Sequence, residues 1–478
     1  MLIAGENMPN PLLPDLHRRA FLRNSAALSA LLAAGVWPFP EAWAKPAPAG
    51  TLHAGPMQGY VAARSGIVWV QTPGAAEVFI EFAPVDSLEN KQRTTPIKTL
   101  ATNEFCTHIV CDNLTPGVSY RCIAFVNNQP VSDKPITLRT QKIWQYRSPA
   151  PDFTVLTGSC AYISDPLHDR PGNSYGGGYE IYTPMTQENA DLMVWLGDNL
   201  YFREADLLSP QGMAQRYLKD RAFAPLQTFL RSCPQVAIWD DHDYGPNDSE
   251  MSFEFKDDAL RLFKTYWANP SYGTVQTPGV FTKVSQYDAD FFLLDDRYWR
   301  SADKTSPGDI SKAMFGKAQI EWLKNALLFS RAPFKIIVAG GQFFNDDDMY
   351  EGWNQYPVER AEFLGWLQQY QIPGVLFLSG DRHITELIRY PRPRYSAKHD
   401  YPLIEFTSSP LNSSPAKGDQ NPNRVPDTLV EARNYGVLKF SGDTKNRTLT
   451  LQTKSVEGQV LWSHEVTLTD LGHGNNEK

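Results

Sequence analysis

Five short apolar runs in this chain end in clusters rich in Asp, His, Gly and Asn, and four of these clusters carry side chains that can hold a metal or move a proton. Phe153–Thr157 leads into Gly158-Ser159-Cys160, and Leu192–Leu196 into Gly197-Asp198-Asn199-Leu200-Tyr201. Val236–Trp239 leads into Asp240-Asp241-His242-Asp243, Ile336–Ala339 into Gly340-Gly341-Gln342, and Val375–Ser379 into Gly380-Asp381-Arg382-His383. Together the run ends offer a thiol (Cys160), carboxylates (Asp198, Asp240, Asp241, Asp243, Asp381), a phenol (Tyr201), imidazoles (His242, His383) and amides (Asn199, Asn247). A buried carboxylate without a compensating charge costs several kcal/mol. Few Lys or Arg accompany these clusters, so metal cations are their natural partners. Thiolate, phenolate and imidazole beside hard oxygen donors point to two unlike metals. Two cations about 3.5–4 Å apart would polarise a phosphoryl group and generate hydroxide near neutral pH.

Each cluster alone has a simpler reading. Gly197-Asp198 can be an ordinary turn, Cys160 a buried apolar thiol, His383 a satisfied core histidine, and Asp240-Asp241 a solvated loop. Their recurrence in order, each at the end of an apolar run, favours one metal site.

The elements that must position these residues have two textures. From Phe153 onward, continuous apolar runs alternate with helical stretches such as Gln319–Phe329 and Glu359–Tyr370, which predicts an α/β fold. Ligands of such sheets bind outside the strand C-termini. Between about Thr51 and Gln141 the period is two instead. Val78, Ile80 and Phe82 alternate with Glu77, Phe79 and Glu81, with turns at Thr72-Pro73-Gly74 and Leu114-Thr115-Pro116-Gly117. This predicts an all-β sandwich of about 90–100 residues. Leu114-x-Pro116-Gly117-x-x-Tyr120 resembles the late strands of fibronectin type III-like domains. Cys111 and Cys122 read as inward-facing thiols, with a disulfide between them left open. Ser148-Pro149-Ala150-Pro151 reads as a linker, giving a sandwich over 45–147 and a catalytic domain over 148–478.

The first 44 residues read as an export address. Arg18-Arg19-Ala20-Phe21-Leu22 precedes an apolar run from Ala26 to Trp37, too short to span a bilayer, and Ala42-Trp43-Ala44 offers a cleavage site. Arg-Arg-x-Phe-Leu resembles a twin-arginine (Tat) signal. No later segment reaches 18 uninterrupted apolar residues, so a mature form with no transmembrane anchor, periplasmic or secreted after passage through the Tat machinery, is expected. The net charge is −8, from 45 basic and 53 acidic residues. The basic residues are dispersed, which argues against a nucleic-acid-binding surface. Five cysteines in 478 residues exclude a disulfide scaffold.

From about residue 51 to 465 the chain resembles the alkaline phosphatase D (PhoD-like) family of metallophosphoesterases. The resemblance is carried by Gly158-Ser159-Cys160, Gly197-Asp198-Asn199-Leu200-Tyr201, Trp239-Asp240-Asp241-His242-Asp243, Ser379-Gly380-Asp381-Arg382-His383 and Thr407-Ser408-Ser409. It implies a four-layer α/β/β/α sandwich behind the N-terminal β-sandwich, with iron(III) and calcium as cofactors. Position by position, Cys160, Asp198, Tyr201 and His383 would hold iron, with Asp198 bridging to calcium. Asp241 and Asp381 would stand where related enzymes use neutral ligands, which hardens that side toward calcium; Asn247 would complete its shell. His242 would contact the phosphate or protonate the leaving group. Arg382 would either clamp phosphate or point to the opposite face of its strand. Gly340-Gly341-Gln342 supplies no histidine where purple acid phosphatases have a ligand. The implied activity is hydrolysis of phosphate monoesters or diesters by metal-activated hydroxide. A phospholipase D-like diesterase is the neighbouring reading, and a catalytically silent surface module that binds phosphate or glycan is the reading from a different class.

Overall fold

The computed structural model describes residues 46–347, 350–391 and 401–474. The expected Tat signal over 1–44 lies outside the described residues. Residues 46–478 form one compact unit.

The period-two region forms nine strands: β1 (Ala54–Val61), β2 (Gly66–Gln71), β3 (Ala76–Pro84), β4 (Gln92–Arg93), β5 (Ile97–Thr99), β6 (Cys106–Cys111), β7 (Ser119–Val126), β8 (Gln129–Pro130) and β9 (Ile136–Arg139). β1, β2 and β6 make one sheet, and β3 and β7 carry the other four strands in a second. The alternation places Val78, Ile80 and Phe82 in a core with Val68, Val70, Ile109, Tyr120 and Leu138. Part of the opposite face of β3 is covered as well, because Phe79 stacks on Phe125 at 4.8 Å and Glu81 pairs with Lys91 and Arg93, while Glu77 stays exposed. Cys111 and Cys122 share this core as free thiols, and all five cysteines are unpaired and buried.

The five apolar runs that lead into the candidate site clusters are all strands. β10 (Phe153–Gly158), β11 (Leu192–Leu196) and β12 (Gln235–Ile238) run parallel, with Gly158 opposite Trp195 and Leu196 opposite Ile238, so their C-termini end level. In a second sheet β13 (Thr282–Gln286) pairs antiparallel with β14 (Ala289–Leu293), and β14 runs parallel to β15 (Phe334–Val338) and β16 (Val375–Ser379). β17 (Glu386–Tyr390) and β18 (Leu403–Thr407) complete that sheet. β19 (Asn434–Ser441) pairs antiparallel with β10, and β20 (Thr448–Ser455) and β21 (Val460–Thr467) extend the first sheet from it, each antiparallel to the strand before.

The two six-stranded sheets pack face to face. Phe440 of the first stacks on Phe153 and meets Phe334 of the second at 5.1 Å, and Phe406 of the second meets Trp462 of the first at 5.2 Å. Side chains alternate across a strand, so residues next in sequence to these point outward, toward helices. Trp195 packs on Phe229 of the helix Ala224–Leu230 and on Trp267 after the helix Lys256–Tyr266. On the far side, Phe377 meets Phe343, Phe343 meets Trp353, and Trp353 meets Phe363 of the helix Pro357–Gln369. Burying each such aromatic ring contributes about 1.5–3 kcal/mol. The sheet β1–β2–β6 packs beside this core: Trp69 donates to Thr265 O at 2.8 Å, and Gly55 N to Gln227 Oε1 at 2.7 Å. Among the described residues no helix is long and apolar enough to cross a membrane.

Candidate metal centre

The loops that leave the level strand ends carry the residues singled out by type, and they converge. Two close approaches bring the edges of the sheets together. A Cβ on Gly340 would lie 2.4 Å from Asp240 Cγ, and one on Gly380 would lie 2.6 Å from Ser159 Cβ. Only glycine fits at either place.

Four candidate ligands share an unusual backbone. Cys160 (φ 59°), Asp198 (φ 51°), Asp381 (φ 62°) and His383 (φ 54°) are all left-handed. For residues with a Cβ this costs about 1–3 kcal/mol each, and such strain clusters at functional sites. Here each turn follows directly on a strand end and belongs to a residue of the convergent cluster.

Cys160, Asp198 and His383 place ligand atoms within 4.8 Å of one another. Tyr201 closes the group: its hydroxyl donates to Asp198 Oδ2 at 3.0 Å and lies 3.1 Å from His383 Nε2. His383 Nδ1 lies 2.7 Å from Ser414 O, a carbonyl that can only accept, so the proton sits on Nδ1 and the Nε2 lone pair faces Tyr201. Ser409 Oγ donates to Cys160 Sγ at 3.1 Å and accepts from His383 N at 3.0 Å. The Thr407-Ser408-Ser409 motif therefore orients two ligands at once.

Beside this quartet the donors become oxygen-rich. Asp241 and His242 share a possible ion position with Asp198, and Asp241 shares another with Asp248 and Glu351. Asp381 lies with Asp240 and Glu351. The His242 ring packs on that of Tyr201 with centroids 4.2 Å apart, and its backbone N–H donates to Asp198 Oδ1 at 3.3 Å. Asn247 is exposed on the loop before Asp248. Asp243 has a structural role, accepting from Asp240 N at 2.7 Å and from the Asn199 amide at 2.6 Å.

Arg382 is buried, donates to Asp419 Oδ2 at 2.6 Å and lies 3.9 Å from the centre of the Tyr350 ring. Gly340 N and Gly341 N both donate to Asp296 Oδ2, so this loop contributes backbone to the site's framework. Sequence reasoning missed Arg297. Its guanidinium is fully buried, bonds Asp240 Oδ1 through Nε at 2.6 Å, pairs with Glu351, and comes within 4.0 Å of Asp241 Oδ1. The acidic cluster thus has an internal cation, contrary to the expectation that few accompany it. Arg297 lies 57 residues after Asp240. Glu351 and Asp248 were also missed, since neither follows an apolar run.

Cations fit this donor set. Burial and the neighbouring Asp381 push the Cys160 thiol up to about 11. Burial, Cys160 and the surrounding aspartates hold Asp198 well above the ordinary carboxylate range, and burial with Asp198 does the same to the Tyr201 phenol. These groups repel one another's negative forms, and a cation reverses that sign. Asp241 Oδ1 and Asp240 Oδ2 are buried without a hydrogen-bond partner, although Arg297 stands near. Such atoms are rare and call for an ion or water.

Two packed mixed sheets gather these donors at their strand ends, an arrangement that can hold metal cations. The model of the family described as PhoD-like phosphatase matches residues 157–459, more than half of the chain. The chain belongs to that family and is a phosphoric ester hydrolase. The solved structure of PhoD superposes with a TM-score of 0.69 at 17% identity, covering 86% of this chain and 88% of that one. A purple acid phosphatase, PPD1 from yellow lupin (Lupinus luteus) seeds, superposes with a TM-score of 0.61 at 15% identity, covering 86% and 74%. Both share the fold. A search of curated proteins found no match.

Proposed function

We propose that this chain is an exported phosphatase that hydrolyses phosphate monoesters, diesters or both, with iron(III) held by Cys160, Asp198, Tyr201 and His383. Calcium is held by Asp198, Asp241 and Asp381, and Asn247 completes its shell. The observation that carries this reading is the quartet itself: thiol, carboxylate and imidazole within 4.8 Å, closed by a phenol bonded to two of them. Thiolate, phenolate and imidazole suit a transition metal, and the all-oxygen side suits calcium. Metals held by these residues would supply an activated water and neutralise phosphoryl charge. The chain's own residues do the rest: Ser409 and Ser414 fix Cys160 and His383, and His242 assists the departing ester oxygen. Arg382, buried and ion-paired to Asp419, either clamps phosphate or stays turned toward that partner.

Metal analysis of protein isolated without added metal tests the assignment. Ferric iron bound by phenolate or thiolate gives a visible charge-transfer band; colourless, iron-free, active protein would overturn it. Phosphate release from a monoester, against alcohol release from a phospholipid, separates a phosphatase from a phospholipase D-like enzyme.

His242→Ala should lower kcat by about 10²–10⁴-fold with both metals retained. The loss should shrink for nitrophenyl esters, whose leaving group needs no proton. Equal losses for all leaving groups together with calcium depletion would show instead that His242 only orients Asp241.

Residues 45–147 are proposed as a fibronectin type III-like domain preceding the catalytic domain. The contact that supports this is Thr115 N donating to the buried Tyr120 hydroxyl at 2.9 Å, the hydrogen bond of a tyrosine corner. Cleavage after Ala44 should leave Lys45 as the mature N-terminus. Intact-mass measurement of periplasmic protein checks this, and retention of Arg18 and Arg19 would refute export with cleavage.

A further inference from the structure

Tyr175 stands over the quartet but belongs to no apolar run and to no group of metal-type donors. Its ring meets Tyr162 edge-on at 4.8 Å, Tyr201 at 6.0 Å and His383 at 5.7 Å, and it is 38% exposed, the open member of an otherwise buried aromatic group. Its hydroxyl lies 3.3 Å from His383 Nδ1 and 3.5 Å from Nε2. The two ring nitrogens point in diverging directions, so an atom nearly equidistant from both is aligned with neither. Nδ1 is committed to Ser414 O, and Nε2 faces the shorter contact from Tyr201. Among the described residues the Tyr175 hydroxyl has these two poorly aligned contacts and no better acceptor.

The backbone holding this side chain is firmly seated. Tyr175 O accepts from Ser414 Oγ at 2.9 Å and from Arg433 Nη2 at 3.3 Å. Gly176, Gly177 and Gly178 follow. A Cβ on Gly176 would lie 2.5 Å from Tyr162 O, and one on Gly178 would lie 2.7 Å from Arg433 Cδ. The glycines let the chain press against these neighbours, which sets the ring in place before any ligand arrives.

We propose that Tyr175 is a substrate-binding residue whose hydroxyl donates a hydrogen bond to a non-bridging phosphoryl oxygen of the ester. This rests on the phosphatase reading above. With the His383 lone pair taken up by a cation, a phosphoryl oxygen of the bound ester would offer the hydroxyl a better acceptor than any described residue does. No bond to Tyr175 forms or breaks; it binds and orients.

The test uses metal-loaded holoenzyme and inorganic phosphate, with binding followed by calorimetry and metal content measured on the same samples. A hydrogen bond to a charged acceptor implies that Tyr175→Phe binds phosphate about 10- to 100-fold more weakly. Metal content and visible spectrum should match wild type. Tyr175→Leu, which also removes the ring, should bind no tighter than Tyr175→Phe. Phosphate affinity equal to wild type in Tyr175→Phe would overturn the proposal, and so would loss of metal from that variant, which would make Tyr175 a support for His383. Wild-type holoenzyme that binds no phosphate would overturn the phosphatase reading itself, a result distinguishable from the first two.

Discussion

Cys160→Ala is expected to be colourless and to lose phosphatase activity, with the chain still folded. The thiol is wholly buried and touches Asp198 Oδ2 at 3.5 Å and Ser409 Oγ at 3.1 Å, so its removal takes away one of the four proposed iron donors and leaves the Ser409 hydroxyl without its acceptor. Losing a residue that merely supports a ligand typically costs about 10–100-fold in metal affinity, and losing the ligand itself should cost more. Ser409→Ala provides the graded control. It removes the hydroxyl that binds both Cys160 and His383, and iron affinity should fall within that about 10–100-fold range. Iron content by elemental analysis, the visible band and turnover of a nitrophenyl ester are the three readings. Full iron occupancy in Cys160→Ala would remove the thiol from the ligand set.

Arg297→Met is expected to be the most destabilising single substitution at the site. The guanidinium has no exposed surface and is shared between Asp240 and Glu351, while Glu351 also accepts from Arg300 at 2.7 Å. Breaking a buried ion pair by removing one partner costs about 3–5 kcal/mol, because the other charge stays buried and uncompensated. A fall in the urea midpoint measures this. Calcium should recover part of the loss in the variant, since the Asp241, Asp248 and Glu351 group then keeps only one of its two buried cations, Arg300. Arg297→Lys should rescue incompletely, because a single ammonium cannot reproduce a fork that bonds two carboxylates at once. An unchanged midpoint in Arg297→Met would refute the stabilising role assigned to this buried ion pair.

Local sequence pattern was enough to show which residues could carry the chemistry and which runs would hold them. Continuous apolar runs such as Val375–Ser379 can only be buried strands or helices, and their shortness and β-branched or aromatic content decide for strands. A ligand-type residue directly after such a run is therefore assigned to a strand end from its neighbours in the chain alone. Helix Lys317–Phe329 was legible because Ile320, Leu323 and Leu327 recur at helical spacing. The motifs likewise identified Cys160, Asp198, Tyr201 and His383, which the fold draws into one group.

Relations between residues far apart in the chain emerged only from the folded arrangement. Arg297 compensates Asp240 from 57 positions away, and Ser409 bonds Cys160 from 249 away. Local pattern carries no record of such pairs, because an isolated arginine or serine looks the same wherever its partner lies. Tyr175 was invisible for the related reason that its loop has no periodicity, and only the seating of Gly176–Gly178 against Tyr162 and Arg433 aims it. The left-handed turns at Cys160, Asp198, Asp381 and His383 also run against local preference. They persist because the surrounding packing and hydrogen bonds outweigh a cost of about 1–3 kcal/mol at each residue, and that balance exists only once both sheets are in contact.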